Sequence, residues 1–223
     1  MGEVSSAVEA IRSQIAVLHE ACEGLSHREL IGLLSELTTT LRTVPVLEHR
    51  VLARLTQETD PHQLGEASWT KVLTTALRVS ESDAKRRLRD AANLGPRRAM
   101  TGEPLAPLWE ATAAAQARGE LSAEHVEVIA EFDKALPSWV DVDTRAAAEA
   151  QFAALGAGLG PRQLRKEAER LLAMIDQDGP EPTDADRARK RGIHVGPQQR
   201  DGMARVTGWL TPEALAGFEA VQA

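Results

Sequence analysis

The sequence predicts a mainly α-helical fold: a multi-helix bundle with a helix-turn-helix-like segment and one C-terminal β-hairpin. Three observations carry that expectation. Apolar residues recur at steps of three and four through most of the chain. Alanine clusters such as Ala113–Ala115 and Ala146–Ala148 favour helix, because Ala has the highest helix propensity. Hydrophobic residues make up 43% of the 223, yet aromatics only 3%, with no tyrosine. The core must then be built from Leu, Ala, Val and Ile, which suits packed helices better than a β-sandwich.

The first element follows from Val4, Val8, Ile11, Ile15, Leu18 and Cys22, an alternation of four and three that is a heptad seam. Gly24 ends it. Ser26 and Glu29 have capping-box spacing for a second helix, whose apolar residues run Leu30, Leu34, Leu37, Leu41 and Val44 and resume at Val51 and Leu55. Pro45 predicts a break or kink near 43–45. Two seams joined by a short turn read as an antiparallel helical hairpin, an arm over residues 1–60. Its seams serve either packing within one chain or a homodimer. A stripe of this length left open in a monomer would be a large apolar patch.

Asp60-Pro61 marks a loop, and residues 61–176 are expected to form the main helical domain. Trp69, Val72, Leu73 and Leu77 define a short helix. Arg78-Val79-Ser80 is a tight turn, and Ser80 caps a helix that buries Ala84, Leu88 and Ala91. This spacing is that of a helix-turn-helix, although Arg78 stands where such turns usually place Gly. The outer face of the second helix carries Ser82, Lys85, Arg86, Arg89 and Asn93, with Arg87 on its flank and Arg97 and Arg98 after Gly95-Pro96. Phosphates require positive charge, and base edges are read by Arg, Asn or Ser from one helix face. Lys85, Arg86, Arg89, Asn93, Arg97 and Arg98 are therefore the candidate DNA-binding residues. Docking on DNA would require Arg86 and Arg89 to point outward. Glu81, Asp83 and Asp90 dilute the set, and the alternative is a solvated face or one paired with acidic residues of 101–160.

Charge segregation frames that choice. Net charge is −7, which argues against a general nucleic-acid coat. Residues 61–100 nevertheless hold eight Lys and Arg against four Asp and Glu, while residues 101–160 hold three against ten.

Further helices are predicted around Leu105–Ala117, from Ser122 through Ala130, from Val142 to Leu155, and from Pro161 to Ile175, with Pro161 suited to a first helical position. His125, near a helix start, reads as a capping or packing residue. Residues 177–191 read as an acidic then basic linker. The Asp176/Asp178 and Asp184/Asp186 pairs have the chemistry of cation ligands but read better as solvating residues. Residues 192–223 are a hairpin plus a helix: Ile193–Val195 and Met203–Leu210 flank Asp201-Gly202, a strong turn signal. The last helix, opened by Thr211-Pro212-Glu213, is cut within its pattern at residue 223, and the expectation is that the native protein continues.

Cys22 is the sole cysteine, so no intramolecular disulfide or multi-cysteine metal site is possible. No secretory leader is evident, and no apolar run approaches the length of a membrane span. A cytoplasmic location with no membrane partner is the expectation. No serine nucleophile elbow, HExxH, P-loop or Rossmann glycine pattern is present, so no catalytic and no metal-ligating residue is assigned.

Several blocks carry a resemblance. They are Ser68-Trp69 through Ala91, Arg118-Gly119-Glu120-Leu121-Ser122-Ala123-Glu124-His125, and Leu159-Gly160-Pro161-Arg162-Gln163-Leu164, followed by Asp186 through Gly196 and Arg200-Asp201-Gly202-Met203. Over about residues 25–223 the chain resembles the actinobacterial domain of unknown function found upstream of HNH endonuclease modules, best known from the mycobacterial thirteen-E-twelve repeat proteins. The resemblance implies that any nuclease lies beyond residue 223. A divalent metal would be needed only there, since an HNH site activates its nucleophile around a metal ion. The expected function is a DNA-binding or DNA-targeting N-terminal module, itself not an enzyme and without cofactor, whose partner is double-stranded DNA. The alternative is a protein-interaction or oligomerisation module with no direct DNA contact.

Overall fold

Helices dominate the computed structural model, which describes residues 2–177 and 184–222. Residues up to 174 form one unit and the remainder a second.

The first unit begins with α1 (Gly2–Ala21), followed by a 3-10 turn at Cys22–Gly24. Ser26 then caps α2 (His27–Leu41). Its hydroxyl accepts from the Glu29 N–H, and Glu29 reaches back to the Ser26 N–H at 2.8 Å. α3 (Val44–Glu58) starts with Pro45 in its first turn, where the missing N–H is harmless. Proline therefore gives a helix boundary here.

The hairpin expected between the first two helices does not form. α1 contacts mainly its own 3-10 turn, and neither α1 nor α2 holds a buried residue. The run His27–Glu58 is, by length and composition, apolar enough to cross a membrane, contrary to the expectation from sequence. It is interrupted at Arg42-Thr43, and α3 buries Leu52 and Ala53 in protein.

α4 (Trp69–Leu77) and α5 (Glu81–Leu94) are capped by Ser68 and Ser80. Between them Arg78 has φ 56° and ψ 40°, the one left-handed non-glycine residue among those described. Leu52, Leu73, Ala84 and Ala91 are buried together, with Leu55, Val79 and Leu88 packed on them. Gly95 permits the close approach of α3 to the end of α5: a Cβ there would lie 2.8 Å from the Ala53 Cβ and 2.9 Å from the His49 carbonyl oxygen.

A short antiparallel pair, β1 (Arg97–Arg98) with β2 (Pro104–Leu105), follows. The sequence expectation placed all regular β structure in the C-terminal hairpin. This second pair arises because the turn closes on itself, the Ala99 N–H donating to the Glu103 carbonyl at 2.9 Å and the Gly102 N–H to Ala99 at 2.8 Å.

α6 (Glu110–Ala117), α7 (Ala123–Ala135), α8 (Val142–Gly156) and α9 (Pro161–Gln177) complete the main core. Leu94, Trp109, Val126 and Ala130 form one cluster, and the Phe132 and Phe152 rings meet at 4.4 Å. Ser122 caps α7 in a box with His125, whose Nδ1 accepts from the Ser122 N–H while Nε2 donates to the Leu159 carbonyl at 2.8 Å. His125 is thus a buried, fully partnered capping residue.

The second unit contains α10 (Asp184–Lys190), where the sequence suggested linker, then β3 (Gly192–Gln198) and β4 (Ala204–Trp209), and α11 (Pro212–Gln222). The strands pair antiparallel through Ile193↔Gly208 and Val195↔Val206, with a register shift between Val195 and Gln198. Gly202 takes φ 81° in the turn, and the Asp201 carboxylate accepts from the Met203 N–H. Of the two aspartate pairs considered for cations, Asp178 lies outside the described residues. Among the described residues no group of three or more His, Cys, Asp or Glu is placed to hold a metal ion.

Candidate nucleic-acid interface

The candidate cations lie on or just after α5, so the burial of that helix decides their reach. Ala84 and Ala91 are buried and Leu88 is half-buried, as the spacing predicts. The side chains flanking this line are therefore held close to α3 and α7, and they meet carboxylates there.

Arg86 pairs with Asp83 and, at 3.4 Å, with Asp90. Arg87 bonds Asp83 at 2.7 Å and crosses to Glu48 of α3. Arg89 bonds Asp90 at 2.7 Å and grips Glu127 of α7 with both terminal nitrogens, at 3.1 and 2.6 Å. Hydrogen bonds from Arg86 and Arg89 hold the Asp83 and Glu127 carboxyls below the usual carboxylate range. Glu127 in turn raises the Arg89 guanidinium above its ordinary value. The expected outward pose of Arg86 and Arg89 is thus corrected: their side chains are 36% and 34% exposed and ion-paired. The physical reason is that buried or half-buried guanidinium groups require partners, and Asp90 and Glu127 supply them.

An open cleft of about 840 Å³ lies beside this network, lined by Lys85, Arg86 and Arg89 but also by Asp83, Glu124 and Glu127. Its charge is mixed. Lys85 is exposed and makes no ion pair among the described residues. Asn93 is half-buried and joins neither cleft; its carbonyl accepts from the Trp109 N–H at 3.0 Å.

A second cleft, about 460 Å³, has a different character. Arg50 and Arg54 of α3 face Arg97 and Arg98 of β1 across it, with Gln57, Glu58, Pro96 and Pro104 in the wall. Arg54 is bonded to Glu58 at 2.8 Å. Among the described residues, Arg50, Arg97 and Arg98 have no carboxylate partner, and Arg98 reaches the Gly102 carbonyl at 3.5 Å. The Gln57 amide fixes the wall by donating to the Pro96 carbonyl at 3.0 Å. Four guanidinium groups against one carboxylate around a concavity form a site suited to a polyanion. Arg97 and Arg98 were candidates from sequence. Arg50 was not, because nothing local connects α3 to residues 47 positions later.

Comparison with known proteins now places the chain. A family model described as a domain of unknown function, DUF222, matches residues 31–223. The chain belongs to the DUF222 family. Relatives include the uncharacterized protein MT1160 of Mycobacterium tuberculosis (strain CDC 1551 / Oshkosh), 40% identical over 99% of this chain and 52% of its own length. The uncharacterized protein Rv1128c of Mycobacterium tuberculosis (strain ATCC 25618 / H37Rv) is 40% identical over 99% of this chain and 49% of its own. The chain thus spans about half the length of the curated relatives it matches. No solved structure matches it.

Proposed function

We propose that this DUF222 chain is the DNA-targeting, non-catalytic module of a longer HNH endonuclease-like protein, and that it holds duplex phosphates at the Arg50–Arg97–Arg98 cleft. The single supporting observation is the set of arginines there that, among the described residues, have no internal carboxylate. The extra length of the relatives leaves room for a nuclease, and the resemblance to regions upstream of HNH modules points to that kind. A divalent metal belongs to that further portion. Purified chain with Mg²⁺ or Mn²⁺ is expected not to nick plasmid DNA.

Phosphate contact of this kind is sequence-independent and salt-dependent, each contact contributing about −0.9 to the slope of log affinity against log salt. Lys85 lines the other, mixed-charge cleft. Arg86 and Arg89 serve mainly to hold α5 in place.

A second reading, a protein-interaction module without DNA contact, is favoured by the neutralisation of the α5 arginines. Fluorescence anisotropy on a labelled duplex at two salt concentrations separates them. The DNA reading expects binding that weakens steeply with salt, and a flatter slope by roughly one unit per lost contact in Arg50→Ala/Arg97→Ala/Arg98→Ala. No wild-type binding at low salt leaves the interaction module standing.

A further inference from the structure

The α1 helix presents a conspicuous unpartnered surface. Val4, Val8, Ile11, Ile15 and Leu18 are 36–66% exposed and lie on one stripe. In proteins most helical stability comes from packing an amphipathic face, and among the described residues α1 contacts mainly its own 3-10 turn.

The stripe is suited to pairing with itself. Val8, Ile15 and Cys22 fall at the a positions and Val4, Ile11 and Leu18 at the d positions of one heptad frame. The flanking e and g positions hold no acidic residue. Glu3, Glu9, Glu20 and Glu23 all fall at b, c or f, away from the seam. Arg12, at e, is drawn outward to Glu9 at 3.4 Å.

Charge decides the orientation. In a parallel pair each g residue meets the e residue of the following heptad on the other helix. The contacts are then Ala7 with Arg12 and Gln14 with His19, and neither repels. In an antiparallel pair e faces e, which sets Arg12 beside its own copy, a like-charge contact.

We infer that α1 forms a parallel two-stranded coiled coil with α1 of a second copy of this chain, joined along Val4–Leu18, which brings together the two Cys22 residues of the turn that follows. The dimer carries two copies of everything downstream, including the arginine cleft, but the inference stands whether or not that cleft binds DNA.

Light scattering of the full chain tests it, together with the variant Ile11→Asp/Ile15→Asp and Cys22 cross-linking by copper–phenanthroline. The expected results are a wild-type mass twice the 24.1 kDa chain, a monomeric mass for the variant, and a reducible Cys22-linked dimer that Cys22→Ser abolishes. The variant should keep its far-ultraviolet helicity outside α1, since α1 contributes nothing to the core. A monomeric wild type at high concentration overturns the inference, as does a dimer that survives Ile11→Asp/Ile15→Asp. A dimer that never cross-links through Cys22 overturns the parallel register.

Discussion

Arg89 and Glu127, 38 positions apart, face each other as a two-pronged ion pair with contacts of 3.1 and 2.6 Å. The pair fastens α5 to α7, while Arg87 and Glu48 fasten α5 to α3. A helix tied on both sides in this way is held as part of the frame. Arg89→Ala should then lower stability. Both side chains keep about a third of their exposure, so solvent screening limits the coupling to about 0.5–1 kcal/mol. A double-mutant cycle with Glu127→Ala in urea measures it. Additive single effects would mean the pair contributes nothing.

Acid should lower the stability of the chain in two steps. Burial pushes the His49 imidazole below its usual 6.5, so the folded state favours the neutral ring. Protonation therefore favours unfolding: the contribution is full above about pH 6.5 and falls as pH drops toward the depressed folded value. Glu127 and Asp83 have folded values below 4.5 and 3.8 respectively. Their contribution is present above those values and is lost as pH falls through the folded ones. The urea midpoint should decline from about pH 6.5 and again below about pH 4.5. His49→Gln should remove the first decline and keep the second.

Gly119, in the α6–α7 turn, has φ 76°, and a Cβ there would lie 2.4 Å from the Thr39 carbonyl oxygen of α2. Gly119→Ala adds left-handed strain of about 1–2 kcal/mol to a backbone clash that α2 must yield to. In a chain of this size, about 1 kcal/mol shifts the melting temperature by roughly 2–4 °C. A loss of several degrees is expected by thermal circular dichroism. An unchanged melt would mean that α2 does not rest on this turn.

Arg78→Gly should have the opposite sign. Arg78 holds a left-handed conformation and, among the described residues, makes no side-chain hydrogen bond. Relief of that strain outweighs the extra freedom glycine gives the unfolded chain, for a gain of up to about 1 kcal/mol. The urea midpoint reports it; a loss would point to a role for the guanidinium.

What the sequence determined by itself was local. Ser26 with Glu29, Ser122 with His125, Pro45 at a helix start and Asp201-Gly202 in a turn each act within a few residues, where the chain has few alternatives. The order of helices and the C-terminal hairpin were therefore legible, as was the heptad stripe of α1. Tertiary structure decided the partners. It assigned Glu127 to Arg89 and set Arg50 beside Arg97 and Arg98. It also brought the buried Glu149 carboxylate of α8 to the Thr112 N–H at 2.6 Å, capping α6 from another helix. Pairs three or four positions apart, such as Arg86 with Asp83 and Asp90, follow helix periodicity, but the long-range partners depend on what arrives across space, and periodicity carries no record of them. The α5 arginines and the β1 arginines look alike in sequence. Asp83 and Asp90 on α5 itself neutralise Arg86, packing adds Glu48 of α3 for Arg87 and Glu127 of α7 for Arg89, and among the described residues no carboxylate pairs with the second group.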